Sequence, residues 1–358
     1  MAPRPYFNDK GEVLPLVELM KLEKIDDWTF RSCSKAYEPT GGGNGAYGGF
    51  IYSLSAWAAA QTVAEGQILH SVSGNFILGG IPKEHFDIKI TKIRDGGSYC
   101  TRFTTVSQSK GICFTSICSF KRSETSAIDL QDPHMNIRTH YSSVLSGKSY
   151  YDHPEAPSQD SEWFRQIYLP KHPDHYNPLP GLHLRKVDMK AYNEPRHPID
   201  RRQLIFYTLR GRLPEIDKER PSTREANLHA IGHLFASDRN SLHIIPNFND
   251  LGLSASRIAS LSHTVTFHVG VDKLFMPNEP AGRNPRSPPT EGPDGEVWSG
   301  EADESQRKWF VQEAWSTRSG GGRAFHTSRL WDMETGVHLA TTVQDGLVRY
   351  REGAELKL

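Results

Sequence analysis

The chain carries one pattern twice, and that duplication constrains its fold more than any other feature. In the first half a strand-like run at 26–34 precedes AYGGFIYSLSAWAAAQTV (46–63), whose Phe50, Leu54, Trp57, Ala58 and Gln61 form one helical stripe. Four β-like runs follow, at 68–78, 86–93, 98–107 and 111–120, rich in Ile, Phe, Thr and Val and separated by turns such as Asp95-Gly96-Gly97 and Lys110-Gly111. In the second half the strand-like 203–214 precedes Pro221-Ser222, and Ser222 with Glu225 has capping-box spacing for a helix through Leu228, Ile231, Leu234 and Phe235. Four β-like runs follow again, at 258–268, 308–315, 323–332 and 337–350. Laying Phe76 on Phe267 brings the alternation into phase: Val72 and Phe76 match His263 and Phe267 on one face, and Ser71, Ser73 and Asn75 match Ser262, Thr264 and Thr266 on the other.

A strand, a helix and four strands, repeated, predict an α+β double hot-dog: two antiparallel sheets, each wrapped around a central, mostly apolar helix. Neither sheet closes by itself, so the two units are expected to join edge to edge and hide their unpaired strands. The 358 residues divide into a first hot-dog domain (1–121), a Pro- and His-rich linker (122–200) and a second hot-dog domain (201–358) with a loop insertion at 276–305. Eight prolines between Pro154 and Pro198 exclude long regular elements from the linker.

Lys plus Arg (42) equals Asp plus Glu (42), without blocks of one sign, which argues against a nucleic-acid or anionic-membrane partner. The most apolar stretch, Ala46 to Ala60, is broken by glycines and serines and falls short of the ~20 residues of a bilayer span. No basic flank with an apolar core opens the chain, so an intracellular protein is expected, with Cys33, Cys100, Cys113 and Cys118 as thiols. The linker histidines His153, His172, His175 and His183 lack metal-ligand spacing, and Gly320 to Gly322 lacks the context of a phosphate loop.

Several segments together carry a family resemblance: LEKIDDWTFR (22–31), AYGGFIYSLSAWAAAQTV, LHSVSGNFILGG (69–80), TLRGRLP (208–214), HAIGHLFASDRNSL (229–242), SLSHTVTFH (260–268) and GRAFHTSRLWDMETGVHLATTVQDGLVR (322–349). In this succession the chain resembles the type II acyl-CoA thioesterases of bacteria and eukaryotic peroxisomes. The resemblance implies hydrolysis of acyl-CoA or a related thioester by a water that an Asp, a Ser or Thr, and a Gln hold. Gln344 matches the family's Gln within Val343-Gln344-Asp345-Gly346. Thr317 matches the Ser/Thr position ahead of Arg323-Ala324, with Ser316 as the alternative. Where the family writes S-L-D-H this chain has Ser260-Leu261-Ser262-His263, so Ser262 replaces the carboxylate.

A serine hydroxyl orients water but does not take its proton at neutral pH. Substitute bases to consider are Asp238, Glu313, Asp345 and His268; for Asp238, at the end of the second helix, capping is preferred to catalysis. His268 shares the Ser262 face with Thr264 and Thr266 and has a pKa range suited to proton transfer. His263, in phase with Val265 and Phe267, is expected in the core. Gly48 and Gly49 open the first helix and either admit a ligand to its N-H groups or allow close packing. Thr264 and Ser316 complete the expected substrate-binding set, Ser262, Thr317, Gln344 and His268 the catalytic one. No metal or redox cofactor is expected, coenzyme A being part of the substrate, and homo-oligomerisation is left open. Two further readings are a hot-dog lyase, isomerase or cyclase acting on a thioester or polyketide-like intermediate, and a non-catalytic acyl-binding protein. The final Leu356-Lys357-Leu358 resembles a peroxisomal address in its last two residues, so the cytoplasm or the peroxisome is expected.

Overall fold

A computed structural model describes residues 6, 12–39, 45–131, 136–214, 222–239, 241–276, 289–291, 297–299 and 307–354. The first unit contains β1 (Leu22–Lys24), β2 (Thr29–Ser32), helix α1 (Gly48–Ala60), β3 (Ile68–Phe76), β4 (Asp87–Asp95), β5 (Tyr99–Gln108) and β6 (Gly111–Lys121). After β7 (Leu182–Lys186), the second unit contains β8 (Gln203–Leu209), helix α2 (Thr223–Ser237), β9 (Ala255–Phe267), β10 (Phe310–Gly320), β11 (Arg323–Asp332) and β12 (His338–Tyr350). Within the run expected at 26–34 only Thr29–Ser32 is strand, because 25–28 turn the chain from β1 into β2. The expected insertion at 276–305 and the terminal Leu356-Lys357-Leu358 lie almost wholly outside the described residues; 289–291 and 297–299 form a separate antiparallel pair. Among the described residues no helix is long and apolar enough to cross a membrane.

All twelve strands belong to one antiparallel sheet, in the order β1-β2-β4-β5-β6-β3-β9-β12-β11-β10-β8-β7. The two hot-dog units meet at β3 and β9, where Ser71 faces Thr266, Val72 Val265, Ser73 Thr264, Gly74 His263 and Asn75 Ser262. Edge-to-edge union thus satisfies the backbone groups that each open sheet would leave free. The strands alternate as a half-buried sheet should: in β5, Cys100, Arg102, Thr104, Val106 and Gln108 point inward.

The helices depart from the one-sided stripe that the sequence predicts. Every residue from Gly49 to Ala60 is buried, and so is α2 from Ala226 to Ser237. The sheet covers one side of each helix and the other helix covers the rest. A helix buried all round has room for small residues as well as large ones, and α1 carries Ser53, Ser55, Ala56 and Ala59 among its buried positions, Ser55 with its hydroxyl 3.3 Å from Ser116 Oγ on the sheet.

Close approach at the seam depends on Gly74. A β-carbon there would lie 2.2 Å from Cζ of Phe114, whose ring packs across the glycine. Gly74→Ala is expected to destabilise the protein by about 1–3 kcal/mol through overpacking. Urea denaturation measures this, and an unchanged midpoint would mean that Phe114 has room to move.

Residues 136–206 hold no long element, but they are well packed. Ile137, Tyr141, Val144 and Leu145 form a cluster with Leu204, Phe206, Trp309, Val311 and Trp331 on the side of the sheet away from α2. Glu313 is buried there, accepting hydrogen bonds from the Tyr141 hydroxyl and, at 3.0 Å, from Trp331 Nε1. Its carboxylate is therefore committed on the face opposite the central helices.

Candidate active site

Residues opposite one another in adjacent antiparallel strands point to the same face, and one such row crosses the middle of the sheet. It runs Ser316, His326, Gln344, His263 and Gly74, on β10, β11, β12, β9 and β3. All five are buried and turned toward the helices. The last turn of α2 lies against this row: His263 Nε2 is 2.8 Å from Ser237 Oγ, and Ser237 Oγ also donates to the Leu234 carbonyl at 2.8 Å. Burial pushes the pKa of His263, and likewise of His326, down to about 3, so both rings are neutral; His263 is the core histidine the sequence predicts.

Asp238, the residue that ends α2, provides the carboxylate beside Gln344. Gln344 Nε2 donates to Asp238 Oδ1 at 2.6 Å and to Ser260 Oγ at 2.8 Å. The Ser241 hydroxyl approaches Oδ1 at 3.4 Å, and Gly49 donates its backbone N-H from the first turn of α1. Burial pushes the carboxyl's pKa up to about 6, and the donors Gln344, Gly49 and Ser241 with nearby Arg239 hold it from rising further. The capping role preferred from sequence fits poorly, because a helix C-terminus is the negative end of its dipole and favours a cation. Asp238 instead reaches the N-terminus of the other helix, the positive end.

Gly48 makes that approach possible: a β-carbon there would lie 2.7 Å from Asp238 Oδ2. The space expected to admit a ligand at Gly48 is thus shared with the Asp238 carboxylate. The first N-H of α1, on Gly48, has no intrahelical partner and finds no acceptor among the described residues. Gly48, Asp238 and Ser260 line a cavity of about 800 Å³. Phe76, Leu78 and Phe86 border it from the first unit; Ser158, Gln159 and Ser161 border it from the segment between the units.

The other expected residues divide between the two faces. Ser316 is buried and donates to the Phe325 carbonyl at 2.9 Å, whereas Thr317 is the extra residue of a bulge between Ser316 and Arg318 and is exposed. A second bulge, in β9, leaves Leu261 unpaired and turns Ser260 rather than Ser262 toward Gln344. Ser262 pairs with Asn75 and Asp345 on the outer face. Thr264 lies on that face with its hydroxyl 2.9 Å from Ser73 Oγ, and so does exposed His268, whose Nε2 is 2.8 Å from Thr341 Oγ1. Asp345 is held there by Arg323. The expected cluster of Ser262, Thr317, Gln344 and His268 is therefore not formed: Gln344 faces inward, the other three outward. Sequence reasoning missed Ser260 and undervalued Asp238; the available signal was the Ser237-Asp238 pair itself, a carboxylate at the C-terminal end of a central helix where the dipole does not favour it.

Among the described residues no group of three or more His, Cys, Asp and Glu side chains is arranged to hold a metal ion. Residues 37–121 match a family model described as the acyl-CoA thioesterase N-terminal domain. Acyl-coenzyme A thioesterase 8 of Mus musculus is 21% identical over 353 residues, covering 94% of this chain and 89% of that protein. An acyl-CoA thioesterase II of Mycobacterium marinum superposes with a TM-score of 0.58 at 20% identity, over 95% of this chain and 99% of that one. A hot-dog protein of unknown function from Alicyclobacillus acidocaldarius gives a TM-score of 0.59 at 13% identity, over 94% and 98%. These likenesses bear out the resemblance to the type II acyl-CoA thioesterases and the double hot-dog fold.

Proposed function

We propose that this protein hydrolyses acyl thioesters, acyl-CoA among them, with Asp238 as general base. The carrying observation is one buried carboxylate, fixed by the Gln344 amide, beside a helix N-terminal N-H that has no acceptor among the described residues, at the cavity. The thioester carbonyl accepts a hydrogen bond from Gly48 N-H, where the helix dipole favours the developing oxyanion. A water beside the Asp238 carboxylate attacks the carbonyl carbon and gives its proton to Asp238. Collapse of the tetrahedral intermediate breaks the C-S bond, and the proton passes to the departing thiolate. In this reading Gln344 positions Asp238 rather than touching the water, since its Nε2 already serves Asp238 and Ser260. The lyase, isomerase or cyclase reading rested on a lost carboxylate, and Asp238 removes that motive.

The test is release of free CoA from a panel of acyl-CoAs followed against pH. Asp238 acts when ionised, so kcat/KM should rise through a midpoint near the carboxyl's pKa of about 6 and level off above it. Gln344→Ala removes a bond that lowers this pKa, so the midpoint should move upward and the rate at neutral pH should fall. A profile that keeps its midpoint in the variant would take Gln344 out of the arrangement.

A further inference from the structure

Four large apolar side chains that line the cavity, Ile77, Leu78, Leu261 and Trp163, are also 36–56% exposed, and so mark its mouth. The apolar surface continues past the mouth on the outer face of the sheet. Ile77 follows β3 in the outward phase of Ser73 and Asn75, and its N-H donates to the Cys113 carbonyl, next to exposed Ile112 at the start of β6. On the other side exposed Phe325 stands opposite Asp345. Ile112 and Phe325 do not line the cavity, so an acyl chain bound there leaves them in water.

Cations frame this surface. Arg257 and Arg349 are direct partners across β9 and β12, and Arg318 stands opposite Phe325. All three are exposed, and Arg351 joins Arg257 in lining the cavity. None of these four arginines makes an ion pair among the described residues. Like charges directly opposite in a ladder cost stability, and no carboxylate offsets that cost here. Asp345 is already engaged by Arg323, which leaves Glu352, next to Arg351 in sequence. The whole-chain balance of 42 against 42 conceals this local excess.

We propose that this end of the sheet docks on an anionic lipid surface. The apolar side chains enter the boundary between headgroups and acyl chains, the arginines meet lipid phosphates, and the cavity mouth faces the bilayer. A second copy fits less well, because a twofold axis would set the patch on itself, arginines against a face with little free acid. The proposal goes beyond hydrolysis, and vesicle binding tests it without substrate.

Co-sedimentation of the intact protein with extruded vesicles is the measurement. Phosphatidylcholine with about 30% phosphatidylserine should bind the protein at least about tenfold more strongly than phosphatidylcholine alone, and about 0.5 M NaCl should remove the difference. Arg257→Gln with Arg349→Gln should weaken binding to the anionic vesicles about fivefold per arginine. Ile112→Ser with Phe325→Ser should weaken it about tenfold while acetyl-CoA hydrolysis and the urea midpoint stay unchanged. Binding indifferent to phosphatidylserine, or to both pairs of substitutions, overturns the proposal. An oligomer that forms without vesicles and that the same substitutions dissociate, read by sedimentation velocity, overturns it in favour of a protein interface. Vesicle binding by a protein that releases no CoA would uphold docking and overturn the thioesterase reading alone.

Discussion

Asp238→Asn is expected to lower kcat/KM for thioester hydrolysis by roughly 10²- to 10⁴-fold, the usual worth of a general base, with no loss of stability at pH 7. The two halves of that expectation have one cause. Burial raises the carboxyl from 3.8 to about 6, so the folded state holds the proton more tightly than the unfolded chain. Between these values stability falls as pH rises, and at pH 7 the buried charge opposes folding by on the order of 3 kcal/mol, from about 1.4 kcal/mol per pKa unit. Asparagine keeps the size and an acceptor oxygen for Gln344 but carries no charge, so the variant should unfold at the same or a higher urea concentration. A structural cap would behave in the reverse way, losing stability and keeping activity. Free CoA release and urea denaturation on one preparation decide between them, and an active, destabilised Asp238→Asn protein would end the general-base assignment.

Why the fold was legible and the site only partly so follows from what periodicity records. Period-2 alternation in runs such as 68–78 and 258–268 gave the strands, and their common phase gave the duplication that β3 and β9 join. The all-round burial of α1 was hidden, because its buried positions include small residues that leave no periodic trace. Gln344 was legible from its motif. Its carboxylate partner was not, because the motif pointed to position 262 while the bulge at Leu261 turns that position outward. The bulge at Thr317 does the same in β10 and leaves Ser316 inside. One inserted residue exchanges the two faces of a strand and need not alter its composition. Proline-rich 122–200 read as a linker for a related reason: its apolar residues Ile137, Tyr141, Val144 and Leu145 sit on short helices with no long period, yet they cover the outer face of the second unit.

The same segment carries the other large expected effect. Asp160→Ala should destabilise the protein by about 3–5 kcal/mol, the range for breaking a buried ion pair from one side. Burial by itself would raise the pKa of Asp160, but Lys186, Arg165 and Arg239 outweigh it and hold the carboxyl below its ordinary value. Without Asp160, Lys186 and the buried Arg239 keep their desolvation cost and lose their counter-charge. Because the folded pKa is depressed, this stabilisation is fully present above the unfolded value of 3.8 and is lost as pH falls through the lower folded value. Urea midpoints of variant and wild type should therefore differ most at neutral pH and converge in acid. A loss below about 1 kcal/mol at pH 7 would mean that water reaches these cations and already solvates them in the folded protein.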